Sequence, residues 1–172
     1  LKDAGATWCR DLSQVPTGPA IVIGNEFLDA LPIRQLIKTP DGWRERSIEL
    51  DDAGRGFRFG TGGERVDKFV PAAFRDAAPG AIFEVSPVAG RIVHTLAARL
   101  AADGGATLLI DYGHAESALG ETLQALSGHA FADPLADPGE QDLTAHVDFA
   151  ALVGVAAAAG ARVWGPVTQG AF

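Results

Sequence analysis

The segment Asn25-Glu26-Phe27-Leu28-Asp29-Ala30-Leu31-Pro32 groups two carboxylates and an amide directly after a short apolar run. Active sites of open α/β proteins collect where a buried strand gives way to a loop or helix. If the segment turns helical, the three-residue spacing puts Glu26 and Asp29 on one side, with Phe27, Leu28 and Leu31 toward the core. Such a pair can hold a cation or move a proton, though an acid at a helix start also serves simply as a cap. A second polar cluster holds His129, Asp133, Asp137, Glu140, Asp142, Thr144, His146 and Asp148 in a long Pro- and Gly-rich connection. Connections of that length often carry function, but turn hydrogen bonds from Asp142 or Thr144 would account for it equally. No His-Glu-x-x-His pair occurs, so no metal site is expected, and a metal-dependent hydrolase is the weaker alternative. Tyr112 and His114 follow a second apolar run and should share the rim with Glu26. No Gly-x-Ser-x-Gly elbow, P-loop or Gly-x-Gly-x-x-Gly is present.

The elements that position these residues follow from pattern. Gly18-Pro19-Ala20-Ile21-Val22-Ile23-Gly24 and Ala106 to Ile110 are apolar runs bounded by turn residues, the signature of strands covered on both faces in a parallel sheet. A helix precedes the second run, with Ser86 as cap, Pro87 in its first turn, Ile92, Val93, Leu96 and Leu100 as its stripe, and Asp103-Gly104-Gly105 as its stop. Another helix starts at Asp148, turns Phe149, Leu152, Val153 and Ala156 inward and ends at Gly160, before a strand at Ala161 to Trp164. Ala6 to Arg10 reads as a further strand ending near Asp11. Between Ile33 and Gly60, alternating runs at Arg34 to Lys38, Trp43 to Leu50 and Gly56 to Phe59 predict a three-stranded antiparallel meander, placed either as a lid or as a hairpin packed elsewhere.

The bulk composition frames these sites. The 172 residues are 47% hydrophobic and carry a net charge of -8, which fits one globular domain and disfavours nucleic acid and anionic membranes as partners. No apolar stretch reaches the roughly 20 residues of a membrane helix. The single cysteine, Cys9, suits a reducing compartment such as the cytoplasm and is expected to be a small buried residue. The chain opens on Leu1 and stops at Phe172, and neither end reads as a natural terminus.

Five ordered stretches carry a resemblance: Gly24 to Pro32, Glu84-Val85-Ser86-Pro87, Ile110-Asp111-Tyr112-Gly113-His114, Asp142 to Phe149 and Gly165-Pro166-Val167-Thr168-Gln169-Gly170. Together they resemble the MidA family of class I methyltransferases, whose mitochondrial members assist assembly of respiratory complex I. The resemblance implies an α/β Rossmann-like sheet that is incomplete here. On it, residues 1–172 form a single partial methyltransferase domain, with the meander at 33–60 inserted. The N-terminal strands and the glycine-rich cofactor loop would lie upstream, so the chain alone is expected to be inactive. S-adenosylmethionine is the implied methyl donor. The implied acceptor is an arginine of a partner protein, such as a complex I (NADH dehydrogenase) subunit.

By position, the resemblance puts Asp11 and Leu12 beside the adenine, and Asn25 and Glu26 at the methionine end of the cofactor. Glu26 and Asp29 become the catalytic candidates, while Tyr112, His114, Asp142, His146 and Gln169 become substrate-binding candidates. A guanidinium is permanently charged and offers a planar fork of donors, which a carboxylate can grip. A cytoplasmic location is expected for a bacterial chain, a mitochondrial one for eukaryotic relatives, and a homodimer is one expected assembly. A non-catalytic assembly module of the same fold remains the alternative function.

Overall fold

The computed structural model describes residues 5–172, so Leu1 lies outside the described residues. Strands β1 (Ala20–Asn25) and β6 (Gly105–Ile110) pair in parallel, from Ala20 opposite Gly105 to Asn25 opposite Ile110. Helix α1 (Pro87–Asp103) leads into β6. The Ser86 hydroxyl accepts from the Ala89 amide, and Gly104 ends the helix at φ 82°. The end of α1 also holds the approach to β1, since Asp103 accepts from the Gly18 amide at 3.1 Å and Arg99 donates to the carbonyls of Val15 and Gly18. Helix α2 (Phe149–Ala158) is capped by Asp148, which accepts from the Ala151 amide at 3.0 Å, and it packs on α1. Ala89 and Val93 of α1, Leu152 of α2, Leu28 and Val147 form one core, with Leu31, Leu109 and Phe149 against it.

The meander forms as β2 (Arg34–Thr39), β3 (Gly42–Leu50) and β4 (Phe57–Arg65). It gains a fourth strand, β5 (Ile82–Val85), antiparallel to β2, giving the order β4-β3-β2-β5. This sheet owns a second core of Leu36, Trp43, Val66, Val70 and Phe83. The remaining strands are short. β7 (Gly113–His114) pairs in parallel with β11 (Val147–Asp148), and β8 (Gln124–Ser127) lies between β9 (Ala130–Ala132) and β10 (Asp142–Thr144). The long polar connection is thus partly built into strands. Gly113 is required there, because a Cβ would stand 2.1 Å from the Val147 carbonyl oxygen.

Five expectations need correction. The parallel pair is covered on one face only: Ile21 is 82% and Ile23 68% exposed, because the helices pack against the opposite face and nothing described covers this one. Ala161 to Trp164 and Ala6 to Arg10 form no strands, because no described strand offers either a ladder. Cys9 is exposed, since its segment runs along the surface. Phe27 points outward while Leu28 is buried, because Glu26 to Leu31 is a turn and helical spacing does not apply. No helix of the described residues is long and apolar enough to cross a membrane.

Candidate active site at the ends of the parallel strands

β1 ends at Asn25, and the ladder continues by one bond, from the Glu26 amide to the Ile110 carbonyl at 2.9 Å. Glu26 then adopts a left-handed backbone, φ 46°, which turns the chain sharply off the sheet. A non-glycine residue held there stores on the order of 1 kcal/mol of strain, a feature that clusters at functional sites.

The loop that follows is organised from the other strand. Asp111, directly after β6, accepts on one carboxylate oxygen from the amides of Phe27 at 3.1 Å, Leu28 at 2.8 Å and Asp29 at 3.3 Å. Its other oxygen accepts from the Tyr112 amide at 2.9 Å. Leu28 anchors the loop in the core below, and the Ser86 hydroxyl donates to the Pro32 carbonyl at 2.9 Å, tying its far end to the start of α1. Asp111 stands in the motif Ile110-Asp111-Tyr112-Gly113-His114, which by itself assigns it no role. The signal was a carboxylate at the end of the neighbouring strand, in reach of consecutive free amides.

Asp29 is 8% exposed. Burial, then the negative charges of Asp111, Glu26 and Asp142, push its carboxyl above the ordinary range, against an opposing hydrogen bond from the Ala30 amide. Four acids therefore share one rim. Among the described residues none of the four takes part in a salt bridge.

The other candidates divide into three places. Asn25, Glu26 and Tyr112 are exposed at the strand ends, and Asp142 starts β10 near Asp29. His114 and His146 instead line a cavity of about 610 Å³ between the antiparallel sheet and the two helices, with Phe69, Phe83 and Leu119 on its walls. Asp11 and Leu12 lie in an exposed turn, where hydrogen bonds from Ser13 hold the Asp11 carboxyl below its ordinary value. Gln169 is exposed near the end of the chain. Among the described residues no hydrogen bond joins Asp11, Leu12 or Gln169 to the acidic rim, and no group of three His, Cys, Asp or Glu is placed to hold a metal.

Comparison with known proteins places these features in context. The pattern of a family described as "Putative S-adenosyl-L-methionine-dependent methyltransferase" matches residues 2–167. The chain is 40% identical over 96% of its length to the protein arginine methyltransferase NDUFAF7, mitochondrial, of Xenopus tropicalis, of which it spans 38%. It is 35% identical, over the same share, to the human protein of that name, spanning 37%. A solved structure of a superfamily member from Burkholderia thailandensis, bound to S-adenosyl-homocysteine, is 33% identical and superposes over 84% of the chain and 38% of its own length, at a TM-score of 0.69. The chain thus spans well under half of the relatives it matches.

Proposed function

Since the chain belongs to this family of S-adenosyl-L-methionine-dependent methyltransferases, we propose that it is the part of such an enzyme that holds the methyl acceptor, an arginine of a partner protein. The observation that carries this reading is the convergence of Glu26, Asp29, Asp111 and Asp142 on one rim, with no cation of the described residues paired to them. A carboxyl whose proton affinity is raised first by burial and then by three neighbouring acids gains from a positive charge placed beside it. A guanidinium supplies that charge at every physiological pH.

The residues present also fit the family's cofactor, because an exposed amide and carboxylate at Asn25 and Glu26 suit the cationic methionine end of S-adenosylmethionine. When bound, that group supplies an electrophilic methyl on positively charged sulfur. The chain's own work is positioning. Glu26, set outward by its left-handed backbone, grips the guanidinium fork and aligns one nitrogen. Asp29, with its raised proton affinity, takes the proton that the methylated nitrogen sheds. Tyr112 and Asp142 border the same opening, and His114, His146 and Gln169 are carried as further substrate contacts.

The finer parts of the proposal are dimethylation, a complex I subunit as acceptor, a cytoplasmic location and membership of residues 1–172 in one partial domain. The relatives' names support the arginine, the resemblance carried by the five ordered motifs supports dimethylation, the acceptor and the domain assignment, and the lone cysteine is what suits the cytoplasm. The test is Glu26→Gln in the full gene product, assayed with labelled donor and host lysate. Methyl transfer should fall by about 10²–10³-fold, far more than the affinity for the cofactor, which Glu26 shares with Asn25. Wild-type turnover in that variant removes Glu26 from the mechanism, and methyl found only on lysine overturns the arginine assignment.

A further inference from the structure

Glu84 lies on β5, opposite the buried Gln35 of β2. Its carboxylate faces donors on every side. One oxygen accepts from Gln35 Nε2 at 2.7 Å and from the amides of Thr122 at 3.1 Å and Leu123 at 3.2 Å. The other accepts from the Thr122 amide and from the Thr122 hydroxyl. Gln35 is fixed in turn, its own oxygen accepting from Arg46 at 3.0 Å. Both oxygens of this half-buried carboxylate are thus engaged within the fold, on the wall of the cavity that His114 and His146 also line.

What Glu84 does is set the direction of one hydroxyl. A threonine hydroxyl has a single proton, and an acceptor-only carboxylate claims it, leaving the lone pairs of Oγ1 to face the other way. There they accept from the His146 amide at 2.9 Å. The residue before it, Ala145, is buried and donates its amide to the Asp29 carbonyl at 3.0 Å. An unbroken series of hydrogen bonds thus runs from the antiparallel sheet, through Thr122 and the backbone of Ala145 and His146, to the loop that carries Asp29. The 120–123 loop is already tied to β5 by the Gly120 amide and the Ile82 carbonyl at 2.9 Å, so Glu84 is not needed merely to hold it down.

We propose that Glu84, acting through the Thr122 hydroxyl, is a positioning residue that fixes the Asp29 loop in register with the ends of β1 and β6. The inference rests on the reading of Asp29 as part of the cation-holding rim. It gives the meander sheet a role in holding the loop that carries Asp29.

The deciding pair is Thr122→Val, which removes the hydroxyl at nearly constant shape, and Thr122→Ser, which keeps it. Both are made in the full gene product. In Thr122→Val, labelled-methyl incorporation into host lysate should fall at least tenfold, with affinity for S-adenosyl-homocysteine within twofold of wild type. Amide hydrogen exchange at Ala145 and His146 should accelerate at least tenfold, and Thr122→Ser should restore every value. Wild-type transfer or unchanged protection at Ala145 in Thr122→Val overturns the proposal, as does a loss that serine does not restore. If Thr122→Val does not fold, Glu84→Gln serves in its place, because its amide group sets a donor against the donors around it; unchanged Ala145 protection there is equally fatal. If wild-type protein transfers no methyl at all, the functional reading fails, while exchange at Ala145 and His146 still decides whether the relay exists.

Discussion

The antiparallel sheet and the parallel pair close their interactions in opposite ways. Around the antiparallel sheet, Trp43 is fully buried with its indole nitrogen donating to the Arg75 carbonyl at 3.1 Å. The charges there are matched: Arg34 with Glu45 at 2.7 Å, Arg65 with Asp67 at 2.9 Å, Arg58 with Glu49 at 3.0 Å. Among the described residues, the parallel pair leaves one apolar face bare and gathers acids that take part in no salt bridge at its ends. Two aspartates show the contrast. Hydrogen bonds from Arg65 and the Trp43 amide hold Asp67 far below the ordinary carboxylate range, whereas burial and neighbouring acids hold Asp29 above it. The first region is satisfied by its own residues and serves as scaffold. Among the described residues, the second lacks apolar cover on one face and ion-pair partners for its acids, which is the basis of the function proposed above.

The largest effect should separate the two regions directly. Trp43→Ala should cost about 3–5 kcal/mol in urea unfolding, while Ile23→Ala, already exposed in this chain, should stay within about 0.5 kcal/mol. Equal losses would erase the distinction. Next in size, Asp111→Ala strips the acceptor from four amides and should cost about 2 kcal/mol, with loss of methyl transfer, since the loop between the strand ends loses its tether.

The smallest effect is also the most discriminating, because its sign differs between the regions. A carboxyl with a raised folded pKa loses stability as pH climbs from about 4 through that pKa, so Asp29→Asn should be more stable than wild type at neutral pH, the gain fading in acid. For Asp67 the sign reverses: its lowered pKa adds stability above about pH 4 that is lost as pH falls, so Asp67→Asn should be less stable at neutral pH and indistinguishable in strong acid. Stability curves against pH that bend the same way for both variants would contradict the charge contrast.

Features written in local chemistry were legible before any coordinates. Ser86, Pro87 and Gly104 bound α1, Asp148 starts α2, and the first two meander strands stand where the alternating runs place them, while β4 runs on past Phe59 to Arg65. Pairings made across long stretches of chain were not. β5 is four residues long and becomes a strand only because β2 stands beside it. Asp111 reaches amides more than 80 residues away, a relation no spacing rule encodes. The run Ile21 to Ile23 declared itself apolar, but an apolar run does not state which of its faces the same chain will cover. Glu26 and Asp29 were legible as a pair of acids at a strand end, whereas the turn that sends one outward and buries the other depends on Asp111.

Consecutive amides bent toward one point form a ready receptor for a phosphate or carboxylate. In this loop the amides of residues 27 to 29 are plugged from within by the side chain of Asp111. An anionic visitor would find those donors taken and would meet the surrounding acids instead. On the function proposed above, a loop that fills its own anion hole favours a positively charged visitor over a negative one.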